Sequence, residues 1–397
     1  MPNLFDYLLW RGDLTFAEFP LCEVDNLIFS LLSYVDFDGI VPPPGKGSIT
    51  LREAAKEYFF THDPTNPRPL GLIVPAEIIT LFRRMADAPR FTSLELSGYV
   101  SETCEKREMQ FAALTVHLSN KSMFVAYRGT DDSIVGWRED FNLSFMEEVP
   151  SQRKAADYLD ALDLPPDASL WVGGHSKGGN LAVWGAVHAC ERVRRQICRV
   201  YSNDGPGFSE GLVTSEAYRT LADRITVFLP DDSLVGLLLE HDDDYIVIKS
   251  SRRGIYQHNG LSWEVLGASF VRTDGLSRRG QRSDTVVRDH ISSMTREERQ
   301  TFVRLLFTAL ESTGAKTLTD LHNTGLRATT AILRTVAGFS REDQEAGIYL
   351  LGKLFFSKEP SPDASDKPIE LPPKPAPARV KSPTHRVHVE FGWRGRT

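Results

Sequence analysis

The stretch Gly174-His175-Ser176-Lys177-Gly178 constrains this chain more than any other. It has the form G-x-S-x-G. The apolar run Ser169-Leu170-Trp171-Val172 precedes it, and the helix-like run Asn180-Leu181-Ala182-Val183-Trp184 follows it. A strand that turns sharply into a helix puts the serine at the apex of the turn, and small residues on either side let the backbone make that turn. The helix N-terminus behind the serine favours negative charge developing there. The motif therefore predicts a nucleophile elbow, with Ser176 as the nucleophile.

The rest of the chain is compatible with such a fold. Its 397 residues suffice for one large α/β domain with appendages, and 41% hydrophobic with 25% charged residues is an ordinary globular profile. A net charge of −7 argues against a general nucleic-acid binder. Cys22, Cys104, Cys190 and Cys198 form no C-x-x-C and are expected to be reduced, mostly buried thiols. Neither a basic-then-apolar leader nor a membrane-length apolar run is evident, so a soluble, cytoplasmic protein is expected, with peripheral membrane contact left open.

Residues 1–110 read as an N-terminal helical part, with a capping box at Thr50-Leu51-Arg52-Glu53 and a proline-initiated helix at Pro75. Residues 111–294 read as the α/β core. Strands are predicted at 111–118 and 122–127, forming a hairpin, and at 169–173, 197–202, 225–229 and 245–249; 261–266 is a candidate partner of the last. Residues 151–164 read as a helix. This alternation predicts a mostly parallel sheet with helices on both faces. Residues 295–356 form a helical extension opened by the capping box Thr295-Arg296-Glu297-Glu298, suited to covering a sheet edge, acting as a lid or binding a partner. Residues 357–397 are Pro-rich and read as disordered, with no identified partner.

A serine nucleophile needs a base, an acid to orient it and donors for the oxyanion. His258, in the polar loop Gly254-Ile255-Tyr256-Gln257-His258-Asn259-Gly260, is the candidate base; His241 and His290 are its competitors. Two acids remain open. Asp204 ends the first strand after the elbow helix, and Asp232 ends the next. Either could instead serve a turn or a helix cap. The oxyanion hole needs the backbone N–H of Lys177 and a second donor from an earlier strand end, where Tyr127-Arg128-Gly129-Thr130 is placed. Glu240-His241-Asp242-Asp243-Asp244 reads as a solvated charge run rather than a metal site. No cofactor or metal is expected.

Three segments together resemble the class 3 lipases of the α/β-hydrolase superfamily: Tyr127-Arg128-Gly129-Thr130, Gly136-Trp137-Arg138-Glu139-Asp140 and Gly174-His175-Ser176-Lys177-Gly178-Gly179. The resemblance covers roughly residues 110–265. It extends, through Asn203-Asp204-Gly205-Pro206-Gly207-Phe208, Gln257-His258 and Trp263, to a mainly bacterial group of hydrolase-like chains of unassigned function. It implies Thr130 as an oxyanion donor, Asp140 steadying that loop through Arg128, and an acyl-ester or lipid-like substrate cleaved through an acyl-enzyme. The chain departs from the pattern at two places. Ser233, not Asp232, falls in the register of the class 3 acid, whereas the D-x-P context of Asp204 is similar to the earlier acid of the pancreatic lipases. Lys177 is a bulky cation after the nucleophile, suited to an anionic substrate or to solvent. An inactive hydrolase-fold binding or regulatory protein, and a thioesterase or acyltransferase, are the competing expectations.

Overall fold

The computed structural model of the chain describes residues 1–62, 70, 74–233, 235–236, 245–277, 294–324, 337–338 and 341. Its frame is an eight-stranded sheet whose spatial order follows the sequence. The strands are β1 (Ser48–Thr50), β2 (Glu95–Cys104), β3 (Met109–Ser119), β4 (Ser122–Tyr127), β5 (Ser169–His175), β6 (Ile197–Asn203), β7 (Ile225–Pro230) and β8 (Tyr245–Ile248). β1 to β4 pair antiparallel, and β4 to β8 run parallel. The longer helices are α1 (Leu4–Arg11), α2 (Glu23–Leu32), α3 (Leu51–Thr61), α4 (Ile78–Asp87), α5 (Ile134–Asn142), α6 (Pro150–Asp160), α7 (Lys177–His188) and α8 (Arg296–Glu311).

Side-chain alternation along β4 shows how both faces of the sheet are filled. Phe124 and Ala126 point into a core shared with α1 to α4, whereas Met123, Val125 and Tyr127 point into a second core shared with α6 and α7. A strand apolar on both faces must be covered on both, as a parallel sheet requires. Pairing of Asp25 with Arg90 at 2.6 Å, both side chains fully buried, ties α2 to the segment before β2.

The predicted hairpin is β3–β4, and both predicted capping boxes form, at Thr50 with Glu53 and at Thr295 with Glu298. The predicted strands at 197–202, 225–229 and 245–249 are present with ends shifted by a residue. β1 and β2 were not anticipated. β2 hides its alternation at Gly98, where a bulge shifts the register between Ser97 and Val100. Residues 261–266 do not lie along β8 as a strand. They form a 3-10 turn at Gly260–Ser262 and then a short ribbon of β9 (Val265–Leu266) with β10 (Ser269–Phe270), touching the sheet's end through the Ser250–Trp263 bridge.

The extension packs on α5 rather than on the sheet. Phe302, Leu306, Phe307 and Leu310 of α8 share a core with Ile134 and Trp137. Past α8, Ile134 N–H donates to the Lys316 carbonyl at 3.0 Å and Leu318 N–H to the Asp132 carbonyl at 2.9 Å. The second extension helix begins at Leu318 and is described to Thr324. Apart from residues 337–338 and 341, the predicted extension past Thr324 lies outside the described residues, as do the tail, His241, His290 and the acidic run at 240–244. All four cysteines are free, as expected, but they are less buried than expected: Cys22 and Cys104 are half-buried and Cys190 and Cys198 exposed. No helix among the described residues is long and apolar enough to cross a membrane.

Candidate active site

Ser176 stands at the junction of β5 and α7 with φ 58° and ψ −136°. This left-handed backbone strains a non-glycine residue by about 1–2 kcal/mol. Tight packing enforces it. A Cβ on Gly178 would collide with the Tyr127 carbonyl oxygen, and one on Gly174 would collide with the Gly178 backbone. The two glycines of the motif thus let the start of α7 press against the end of β4. That contact brings the loop after β4 to the serine: a Cβ on Gly129 would lie 2.9 Å from the Ser176 Cβ.

Asp204 follows β6, the next parallel strand, and is also left-handed, with φ 52°. Ser176 N–H donates to the Asn203 carbonyl at 3.0 Å, so serine and aspartate leave neighbouring strand ends at one level. The turn after Asp204 is pinned by the elbow helix, because Asn180 Nδ2 donates to the carbonyls of Pro206 (3.2 Å) and Gly207 (2.8 Å). Asn203 exchanges amide bonds with Asn26 of α2 and donates to the Gly174 carbonyl.

His258 ends a 3-10 turn, Gly254–His258. Its Nδ1 lies 2.6 Å from Asp204 Oδ2. The other carboxylate oxygen accepts from Ser233 Oγ at 2.5 Å. Burial alone would raise the Asp204 pKa, but the hydrogen bond and charge of His258, with the Ser233 hydroxyl, outweigh it and hold the carboxyl below its ordinary value. A carboxylate at Nδ1 makes that nitrogen the N–H donor, which leaves Nε2 with the lone pair. Nε2 is buried and has no hydrogen-bond partner among the described residues. Trp263 fixes the loop by donating its indole N–H to the Gln257 carbonyl at 2.9 Å.

Asp232 is not brought to His258. Its carboxylate accepts from Gly254 N–H at 2.7 Å, and its own N–H donates to Gln257 Oε1 at 2.8 Å. The chain turns after β7 so that Ser233, one residue on, points at the histidine's partner. Asp232 instead anchors the loop that carries His258.

Thr130 is buried beside the elbow, and its hydroxyl donates to Asp140 Oδ2 in a very short bond. Asp140 therefore holds the loop directly through Thr130. Arg128 turns away, to Ser101 at 3.2 Å and Asp131 at 3.5 Å. The Lys177 side chain is neither at the surface nor directed at a substrate. It is fully buried, with Nζ on the Gln110 carbonyl (3.0 Å), Gln110 Oε1 (2.8 Å) and Glu139 Oε2 (3.0 Å). Gln110, Glu139, Asn180 and Asn203 are not among the site residues expected from the sequence, and Ser233 stands out there only by its register. For Gln110 and Asn180 the signal is polarity inside an apolar or Gly-rich segment; Glu139 and Asn203 adjoin Asp140 and Asp204 in the motif segments.

A mostly parallel sheet with helices on both faces and this strand–serine–helix turn define the class: the chain has an α/β-hydrolase fold, lipase-like. Residues 85–308, more than half of the chain, match the Mbeg1-like family, and the protein belongs to that family. No curated protein matches. Among solved structures, M37 lipase is similar at 17% identity, over 54% of this chain and 68% of its own, with a TM-score of 0.33. The Rhizomucor miehei lipase propeptide complex is 14% identical over 44% of this chain and 70% of its own (TM-score 0.31), and Lip2 lipase from Yarrowia lipolytica 14% over 57% and 80% (TM-score 0.31).

Proposed function

We propose that this protein is a serine hydrolase that cleaves an acyl ester, of lipid-like class, through an acyl-enzyme. The observation that carries the reading is the 2.6 Å contact between Asp204 and His258 Nδ1 beside the strained Ser176. In this mechanism Ser176 Oγ attacks the acyl carbon while His258 Nε2 takes its proton. Asp204 orients the imidazole and offsets its developing charge. The N–H groups of Thr130 and Lys177 hold the oxyanion. His258 returns the proton to the leaving alcohol, and water repeats the sequence to release the acid. The resemblance of the Tyr127–Thr130 and Gly136–Asp140 segments to lipases adds support for an ester substrate.

Labelling of the purified full chain with a fluorophosphonate tests this, together with turnover of p-nitrophenyl butyrate. Wild type is expected to label and to hydrolyse the ester, and Ser176→Ala and His258→Ala to do neither. A well-folded wild type that does not label would overturn the serine-hydrolase reading.

A further inference from the structure

A lysine one residue past the nucleophile, fully buried, needs a physical reason. An ammonium taken out of water is costly unless every proton finds an acceptor, and an apolar residue of similar volume would fill the space without that cost. Here three acceptors meet the three N–H groups of Lys177: the Gln110 carbonyl, Gln110 Oε1 and Glu139 Oε2. Glu139 is saturated in turn. Its Oε2 also accepts from Gln110 N–H at 2.9 Å, and its Oε1 accepts from Ser151 N–H at 2.8 Å.

What this network connects indicates its purpose. The ammonium fixes the orientation of the Gln110 amide, because only the amide oxygen can face it. The amide nitrogen then points to the Gly129 carbonyl, which it reaches at 3.4 Å. Gly129 precedes Thr130, and Thr130 is held from its other side by Asp140, which neighbours Glu139 on α5 and lies 4.0 Å from Lys177 Nζ. One buried cation thus ties the start of α7, directly after the nucleophile, to the loop that carries Thr130.

We propose that Lys177 is a positioning residue for the oxyanion hole: its ammonium, locked on Glu139 and Gln110, sets the spacing between the Lys177 and Thr130 backbone donors. The proposal rests on the serine-hydrolase reading above. It differs from a merely structural role in what it moves. Misplaced oxyanion donors slow the acylation step and leave ground-state binding almost untouched.

The test uses the full chain with p-nitrophenyl butyrate and two variants. Lys177→Met/Glu139→Gln removes both charges at nearly constant volume. Gln110→Met keeps the ion pair and the Gln110 backbone acceptor, and cuts the relay to Gly129 together with the side-chain acceptor of the ammonium. With thermal melts showing folded protein, the double variant is expected to lose about 100-fold in kcat, the scale of a lost oxyanion donor, with KM within about threefold. Gln110→Met is expected to lose about tenfold in kcat with the same split. Should the double variant not fold, Gln110→Met decides alone. Wild-type kcat in the folded variants, or a loss confined to KM, overturns the proposal and leaves the hydrolase reading intact. An inert, unlabelled wild type overturns both.

Discussion

His175 Nε2 lies 2.6 Å from the carbonyl oxygen of His258, so the residue before the nucleophile holds the backbone of the candidate base. A carbonyl can only accept, so Nε2 carries the proton and Nδ1 accepts from the Tyr34 hydroxyl at 3.2 Å. The two rings lie 4.5 Å apart. The histidine of the G-H-S motif thus links the elbow to the loop from Gly254 to His258.

The two candidate acids separate cleanly by mutation. Asp204→Asn leaves an amide where His258 Nδ1 needs a carboxylate, and the wrong imidazole tautomer is then favoured. A fall in kcat of about 10³–10⁴-fold is expected. Asp232→Asn keeps an oxygen for Gly254 N–H, and less than about tenfold loss is expected. Equal losses in the two variants, measured with p-nitrophenyl butyrate, would contradict the assignment of the acid to Asp204.

Ser233, the residue after Asp232, donates a hydrogen bond to Asp204. Ser233→Ala removes a bond to a buried charge and should cost about 1.5–3 kcal/mol in urea melts. Ser233→Asp is a sharper test. It sets a second carboxylate against Asp204, and like charges at that distance cannot both ionise without penalty. The aspartate variant should be less stable than the alanine variant at pH 7. The reverse order would show that Asp204 and position 233 are not in contact.

Two groups near the site, the buried His175 and the half-buried Asp140, give stability opposite dependences on pH. Burial, and after it the neighbouring His258, holds the His175 pKa at about 3. Below the ordinary imidazole value of 6.5 the unfolded chain takes up a proton that the native chain refuses, so stability falls as pH drops from 6.5 toward 3. Burial pushes Asp140 up to about 6, against the pull of Lys177. The unfolded carboxyl ionises near 3.8 while the native one keeps its proton, so this group lowers stability as pH rises from 3.8 to about 6. Urea midpoints at pH 4.5 and 6.5 separate the two groups. His175→Gln should be less acid-sensitive than wild type, and Asp140→Asn more so. Changes of the same sign in both variants would refute the pair.

Much of this arrangement is legible in the sequence because it is local. The elbow needs glycines at 174 and 178, the strand ends carry their polar residues at fixed offsets, and capping boxes declare themselves within four residues. What is not legible depends on contacts across the chain. Nothing near Asp232 says that the turn after β7 points Ser233, not the aspartate, toward the site. Lys177 reads as a cation for an anionic substrate or for solvent until Glu139 and Gln110, 38 and 67 residues away, close around it. β2 escapes because its bulge at Gly98 breaks the period-two pattern.

The α8 helix should matter to the site through α5, on which it packs. Phe307 is 1% exposed, with its ring 5.5 Å from that of Phe141 on α5 and the Arg138 guanidinium 5.5 Å over it. Glu139 and Asp140, which hold Lys177 and Thr130, lie on the same helix between those two contacts. Phe307→Ala opens a cavity under α5 and should cost about 3–5 kcal/mol. Because α5 is loosened first, kcat with p-nitrophenyl butyrate should fall at temperatures where circular dichroism still reports a folded chain. Phe60→Ala, at a side chain 89% exposed on α3, is the control and should change stability by less than about 0.5 kcal/mol. A Phe307→Ala chain with wild-type melting and wild-type kcat would mean that α8 is a passive attachment and that α5 is held by the sheet alone.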